Sequence, residues 1–326
     1  MKKIHIFNSF KTEHGGSEQE ALHLAKMLSK HVEVKLWAST SRACPKLMEK
    51  YGIQKISLLT KGSYPKGGTY VFVGCHWRNK LWPYLIPRPE RLINIYNTFH
   101  PKHVKLTSHH PKLLRWPDVE YVVVSNYQKN AENIDAKVFP SPIDISTFLQ
   151  HKERDLNDQK MIVVGRMSRD DPGKHNISDV DIYKSLAKSN VKIILQGASC
   201  LKNELSNTEN IEIFNTGTLK SNDFYHHIDI FYYRTGEHIE TFGRVVFEAM
   251  AAGLPIVVER KGGYVDWIEH GKNGFLFDTT EEAKKLLEML INDQHLREFI
   301  GRNAVKTTQN MYGEENMLKQ VEFYTR

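Results

Sequence analysis

Glu237-His-Ile-Glu240-Thr-Phe-Gly243-Arg-Val-Val-Phe-Glu248-Ala-Met-Ala-Ala-Gly253-Leu-Pro255-Ile-Val-Val258 is the stretch that decides the fold class. A loop ends at Gly243, an apolar run of helical spacing reaches Ala252, and Gly253-Leu-Pro255 stops it before a short β-branched run. Loop, helix, stop and continuous apolar strand make one turn of an α/β winding. Glu240 falls just ahead of the helix. Glu248 falls more than one turn inside it, among Val245, Val246, Phe247, Ala249 and Met250. A carboxylate in that setting needs a partner, because unpaired buried charge is costly. Two partners fit, a Lys or Arg of the chain or the hydroxyls of a bound sugar.

The same winding extends in both directions. Lys3–Phe7, Val32–Trp37, Tyr70–Val73, Leu92–Tyr96 and Tyr121–Val124 read as strands in the first half. Met161–Val164, Val191–Leu195, Ile211–Phe214, Ile228–Tyr233 and Pro255–Val258 follow in the second. Amphipathic stretches such as Glu18–Ser29 and Ser178–Lys188 lie between them. Near-continuous apolar strands alternating with helices predict parallel sheets covered on both faces. Phe139-Pro-Ser-Pro-Ile-Asp144 and the polar run from His151 interrupt the pattern, which then restarts. The expectation is two doubly wound domains joined near 141–158, with facing strand ends forming a ligand cleft.

Bulk properties narrow the function. The 326 residues are 40% hydrophobic and 25% charged, the composition of a folded globular chain of about two domains. No run reaches the ~18 apolar residues of a membrane span, and Met1-Lys2-Lys3 precedes a strand pattern rather than a signal peptide. Cys44, Cys75 and Cys200 form no paired motif, so a reduced cytoplasmic setting is expected. The 16 histidines include the neighbours His109-His110 and His226-His227 but no H-E-x-x-H spacing, so no metal site is expected. Asp179-Val-Asp181 has D-x-D form inside a helical stretch and reads as a solvated face.

Gly15-Gly16-Ser17-Glu18 follows the first strand, and Ser17 with Glu20 has capping-box spacing, predicting a helix start. The two glycines suit either an ordinary β–α turn or an anion held on backbone N–H groups. Neither G-x-G-x-x-G nor a P-loop occurs, which disfavours a nicotinamide enzyme and a P-loop enzyme. Gly165-Arg166-Met167-Ser168 ends a strand, with Asp171-Pro-Gly-Lys174-His175 just beyond. Arg166 and Lys174 suit a diphosphate, the Arg gripping two oxygens and the Lys adding a point charge; two solvated loop cations are the other reading.

Taken in order, Glu240-x7-Glu248, the G-R…K pair at 165–174, the early Gly-Gly loop and Gly262-Gly263…Ile268-x-x-Gly271-x-x-Gly274-Phe-Leu resemble the retaining family 4 glycosyltransferases of GT-B fold. The match is dense over 160–280. It is sparser earlier, where Gly15-Gly16, Asn97-Thr-Phe-His100 and Phe139–Asp144 correspond to family segments. The resemblance implies an acceptor-binding Rossmann-like domain over 1–150, a nucleotide-sugar donor domain over 151–310, and a C-terminal helix over 311–326 crossing back to the first.

By that resemblance, Arg166 and Lys174 neutralise the diphosphate, Glu248 binds the donor ribose, and Glu240 faces the transferred sugar. The backbone amides of Phe242, Gly243 and Arg244 lie near sugar or phosphate, Gly15 and Gly16 approach from the other domain, and His100 lies near the anomeric carbon. The base packs near Gly217, Thr218 and Leu219. The implied enzyme is a retaining, metal-independent hexosyltransferase with no cofactor, acting on a glycan or lipid-linked acceptor in bacterial surface polysaccharide assembly. The gap from Arg166 to Lys174 is longer than the common family spacing, which leaves Arg169 as a substitute for Lys174.

Rival readings are a GT-B-fold nucleotide-sugar epimerase, which needs no acceptor, and a basic nucleic-acid-binding protein, for which no basic recognition helix is present. A glycoside hydrolase would leave the cationic pair unused. The net charge of +7 is one-sided: residues 1–150 hold 22 Lys/Arg against 11 Asp/Glu, and the rest 23 against 27. Within 51–117 eleven cations face one acid, Glu90, beside Trp77, Trp82, Tyr84 and Trp116. That segment suits an anionic membrane surface or an acidic acceptor, and scattered solvated lysines remain the alternative. No nucleic acid is expected.

Overall fold

The computed structural model describes residues 2–60, 62–74, 80, 82–99, 111–149, 161–188 and 190–326. It divides into two compact units, Met1–Ile143 with Glu314–Arg326, and Asp144–Gly313. The first change of unit falls in the proline-punctuated stretch; the polar residues 150–160 lie outside the described residues.

The first unit is built on a seven-stranded parallel sheet, β1 (Lys3–Asn8), β2 (Glu33–Ala38), β3 (Gln54–Lys55), β4 (Thr69–Val73), β5 (Arg91–Tyr96), β6 (Val119–Val123) and β7 (Lys137–Val138). Its order is β3-β2-β1-β4-β5-β6-β7, so the winding reverses between β1 and β4. Strand side chains alternate in direction, and the two faces differ. Ile4, Ile6, Val71, Val73, Ile93 and Ile95 pack against the Gly16–Leu28 helix and against Val321, Phe323 and Tyr324 of the terminal Glu314–Thr325 helix. The other face is aromatic: Phe7, Trp37, Tyr70, Phe72 and Leu92 meet Ile86 and Trp116, with Ile56, Tyr64 and Trp82 beside them. Arg91 secures the terminal helix, donating to the Phe323 carbonyl at 2.5 Å while gripping both Glu120 oxygens at 2.5 and 2.9 Å.

The second unit holds a six-stranded parallel sheet, β8 (Ile162–Met167), β9 (Val191–Gln196), β10 (Ile211–Phe214), β11 (Ile230–Tyr233), β12 (Ile256–Glu259) and β13 (Phe275–Phe277), ordered β10-β9-β8-β11-β12-β13. Here the reversal lies between β8 and β11. The Arg244–Ala251 helix seals one face with Val246, Phe247, Ala249 and Met250, all fully buried. Each large side chain so buried contributes about 1.5–3 kcal/mol. Gly243 caps it at φ 83°, a left-handed conformation that glycine adopts freely.

All ten strands read from sequence are present. The three additional ones, β3, β7 and β13, are edge strands of two or three residues, too short to show a period. The Ser17–Glu20 capping box does not form. The helix is capped at Gly15 without a side-chain bond, and Ser17 and Glu20 instead accept from Asn8 and Asn97. The D-x-D pair is split. Asp181 is exposed as expected, whereas Asp179 is buried, accepting from Tyr232 at 2.7 Å and pairing with Arg234 at 3.3 Å. Helical period puts positions 179 and 181 on different sides of the helix, so one Asp faces the core. Among the described residues no helix is long and apolar enough to cross a membrane.

Candidate active site

In a doubly wound sheet ligands bind beyond the carboxyl ends of the strands at the reversal point. In the second unit those ends are Arg166–Met167 of β8 and Tyr232–Tyr233 of β11, and charged residues singled out from sequence gather there. Lys174 is buried in the loop after β8, and its Nζ forms an ion pair with Glu240 Oε1 in the loop after β11. Tyr233, the last residue of β11, donates its hydroxyl to the same oxygen at 2.6 Å. His238 Nε2 stands 3.6 Å from Oε2. Burial alone would push the Glu240 carboxyl up, but the Lys174 ammonium and then His238 hold it well below the usual carboxylate range. Glu240 is therefore an anion with one oxygen saturated and the other turned toward a half-exposed histidine. Lys174, not Arg169, makes this contact; Arg169 is exposed.

The loop carrying Glu240 is held by backbone. Gly263 N–H donates to the Glu240 carbonyl at 2.8 Å. Gly262 has φ 113°, and a Cβ there would lie 2.8 Å from that carbonyl. His238 N–H donates to the Gly173 carbonyl at 3.0 Å, joining the loop to the Lys174 turn. The start of the Arg244–Ala251 helix follows directly, so its first-turn N–H groups and positive dipole end belong to the same region. Phe242 itself is core, stacked on Phe247 at 4.3 Å.

Glu248 resolves the question its position raised. Arg244 Nη2 lies 3.9 Å from Oε1 and the Tyr225 hydroxyl donates to Oε2 at 3.2 Å. Burial raises its carboxyl against the opposing pull of Arg244 and Tyr225. A partner arginine is present, and the carboxylate keeps lone pairs for further hydrogen bonds. Gly217, Thr218 and Leu219 sit beyond β9 and β10. Gln196 at the end of β9 clamps Leu219 from both sides, accepting from its N–H at 2.8 Å and donating to its carbonyl at 3.0 Å. Gly217 and Thr218 are exposed.

Arg166 lies beneath this cluster, 1% exposed, with hydrogen bonds to Ser168, Arg234 and the Lys174 backbone. His175 beside it is buried; burial, then Arg166, lowers its imidazole to about 4, so it is neutral at pH 7. Sequence reasoning passed over Tyr233, His238, Tyr225 and His175. Only the first carried a signal, a polar-tipped aromatic closing an apolar strand.

In the first unit, Gly15 and Gly16 follow β1 at its own reversal point. Gly15 leaves room for Glu18, whose carboxylate a Cβ there would strike at 2.0 Å. Glu18 accepts from Ser9 and from the Lys11 N–H, both at 3.2 Å. Asn8 and Asn97 meet on Ser17 Oγ at 2.9 and 3.1 Å. His100 lies outside the described residues. Among the described residues no group of three potential metal ligands is gathered.

The match to the family described as "Glycosyl transferases group 1" covers residues 144–307, half of the chain and nearly all of the second unit. The chain belongs to that family. It is 28% identical over 179 residues to the capsular polysaccharide biosynthesis glycosyltransferase CapM of Staphylococcus aureus, covering 51% of this chain and 46% of CapM. Over 140 residues it is 31% identical to a GDP-mannose-dependent alpha-mannosyltransferase of Mycobacterium tuberculosis, covering 42% of this chain and 35% of the relative. The matched stretches thus span less than half of either relative. In structure the chain resembles Anabaena HepE, solved with UDP-glucose, at a TM-score of 0.75, 16% identity and 99% coverage of both chains. The fold is GT-B, two doubly wound parallel α/β units.

Proposed function

We propose that this glycosyltransferase moves a hexose-type sugar, with retention of anomeric configuration and without a metal, from a nucleotide-diphosphate sugar to a glycan or lipid-linked acceptor. The carrying observation is the Lys174–Glu240 pair at the β8/β11 reversal, beside the start of the Arg244–Ala251 helix. Breaking the sugar–phosphate bond builds negative charge on the departing diphosphate and positive charge on the sugar. Lys174 and the helix-start amides are preorganised for the first, and the Glu240 carboxylate for the hydroxyls and cationic character of the second. Lys174 then exchanges Glu240 for phosphate as the donor enters. Glu248 offers its remaining lone pairs to the ribose, and the Gly217–Leu219 turn lies where a base would stack. No protein nucleophile is needed if the leaving phosphate takes the acceptor proton on the same face.

The capsular polysaccharide role of CapM supports surface polysaccharide assembly as the setting. It fits a cytoplasmic protein at the inner membrane face, with 51–117 as the membrane-facing segment. Ile56, Tyr64, Trp82, Ile86, Leu114, Trp116 and Val119 pack on the aromatic face of the first sheet. The same loops turn Leu58, Leu59, Leu85 and Leu113 outward, Leu59 at 99% exposure.

Thermal stabilisation by UDP-glucose, UDP-N-acetylglucosamine and GDP-mannose, followed by turnover of any stabilising donor with candidate acceptors, tests the reading. Sugar transfer with retention is expected. Donor epimerisation without acceptor would replace it.

A further inference from the structure

The two oxygens of Glu240 are treated unequally. Oε1 accepts from the Tyr233 hydroxyl at 2.6 Å and pairs with the Lys174 ammonium. The one polar partner of Oε2 among the described residues is His238 Nε2, at 3.6 Å. The Glu240 side chain is 13% exposed and that of His238 38%, so a ligand that comes to Oε2 meets the imidazole on its way.

His238 is held in that place by its backbone. Its N–H donates to the Gly173 carbonyl at 3.0 Å, and Lys261 Nζ donates to the Gly236 carbonyl at 2.8 Å. Gly236 approaches the turn beneath it so closely that a Cβ there would fall 2.4 Å from the His175 carbonyl. With the chain fixed on that side and Glu240 fixed by Gly263 on the other, only the ring torsions of His238 remain.

A separation of 3.6 Å is too long for a hydrogen bond, but two bonds of about 2.8 Å to an oxygen between the two atoms span it easily. Nε2 carries a proton in that direction, because a lone pair would face a negative oxygen. The atom between must therefore accept from an N–H and donate to a carboxylate. A hydroxyl does both, whereas an ether only accepts and a deoxy carbon does neither.

We propose that His238 is a specificity-determining residue for the transferred sugar. It clasps one ring hydroxyl together with Glu240, Nε2–H donating to the hydroxyl oxygen while the hydroxyl donates to Oε2. The inference rests on the donor-site reading above and adds a demand to it, a free hydroxyl on the sugar at that place.

His238→Ala removes the donor, and His238→Gln keeps an N–H that can reach the Nε2 position. Calorimetric titration with UDP and with GDP measures affinity for the nucleotide alone. Steady-state kinetics use whichever of UDP-glucose, UDP-N-acetylglucosamine and GDP-mannose turns over, together with its single-deoxy analogues at each free ring hydroxyl. A thermal melt confirms that each variant is folded at the assay temperature.

His238→Ala should keep nucleotide affinity within about twofold and lower kcat/KM for the full donor about 30-fold. His238→Gln should recover to within about fivefold of wild type. With one deoxy donor, wild type and His238→Ala should agree within about threefold, because the clasped hydroxyl is already gone. The other deoxy donors should keep the gap. Turnover of the full donor by His238→Ala within about threefold of wild type overturns the proposal. So does an equal loss with every deoxy donor, which would leave His238 acting through Glu240 alone. A fall in UDP or GDP affinity as large as the fall in kcat/KM also overturns it, by moving His238 to the nucleotide. A wild-type chain that turns over none of the three donors, to acceptor or to water, overturns the donor-site reading itself, and this inference with it.

Discussion

The reversal point of the second sheet gathers opposite charges, Lys174 against Glu240 and Arg244 against Glu248. That of the first gathers Asn8, Asn97 and Ser17 with the buried carboxylates of Glu18 and Glu20, which accept from amide, hydroxyl and backbone N–H donors. The windings are alike, so the difference lies in the loops after the strands. Cations sit against carboxylates at one reversal, whereas amides and hydroxyls hold the carboxylates at the other. The same contrast recurs in the cores. The first unit buries His5 among Trp37 and Tyr70, and the second buries both His175 and Asp179.

Removing the charge should have the largest effect. Glu240→Gln is expected to lower turnover about 10³-fold with the melting profile retained; turnover within tenfold of wild type would remove Glu240 from the chemistry. In the first unit, a comparable change at Asn97 to Asp should leave donor binding unaffected, measured by the same titration.

The buried titrating groups give the next largest effect, and the units should differ in its size. Burial, then Lys3 and Lys35, lowers His5 to about 4 from an ordinary 6.5. It therefore contributes stability above pH 6.5 that is lost as pH falls toward 4, up to about 3 kcal/mol. His175 acts in the same direction in the second unit. Burial raises Asp179 there to about 6 despite Tyr232, Arg166 and Arg234, so its contribution is present below about pH 4 and lost as pH rises through 6. The two offset each other in one unit only. Four of the five tryptophans lie in residues 1–143, so tryptophan-detected urea unfolding reports mainly the first unit. Its midpoint should fall from pH 6.5 to 4, and His5→Gln should flatten that slope. An unchanged slope would assign the acid lability elsewhere.

Smaller effects lie on the surface. Leu59→Ser with Leu85→Ser should weaken sedimentation with phosphatidylglycerol vesicles about tenfold, since shallow insertion recovers only a fraction of the about 1.5–3 kcal/mol that full burial of a leucine brings. Equal sedimentation of wild type with neutral and anionic vesicles would remove the membrane partner. Smallest is Asp181→Asn, expected to shift stability by less than about 0.5 kcal/mol, against a clear change in pH dependence for Asp179→Asn.

Much of the site was legible because its residues sit at strand ends and loop starts, where an apolar run gives way to Gly, Lys or Glu. Glu240 and Lys174 were found in that way, and Glu248 as a carboxylate inside an apolar helix. Their mutual contact was not, because 66 residues separate Lys174 from Glu240 and no local period links them. Arg166 was legible as a residue, and its contacts with the Lys174 and Arg234 carbonyls were not. Position marks it as a strand-end cation, but only packing determines which way its fork points.

Two capping-box spacings divide sequence from tertiary structure most clearly. Thr279 and Glu282 form a reciprocal capping box, whereas Ser17 and Glu20, with the same spacing, do not. The first sits at an exposed helix start where the local backbone is the best partner available. The second lies beside Asn8 and Asn97, whose amides reach the same side-chain oxygens from other strands. The sequence by itself determined the winding, since alternating apolar strands and amphipathic helices bury well only as parallel sheets covered on both faces. Tertiary structure alone decided which polar atoms pair, because hydrogen bonds and ion pairs depend on distances of about 3 Å between residues far apart in the chain.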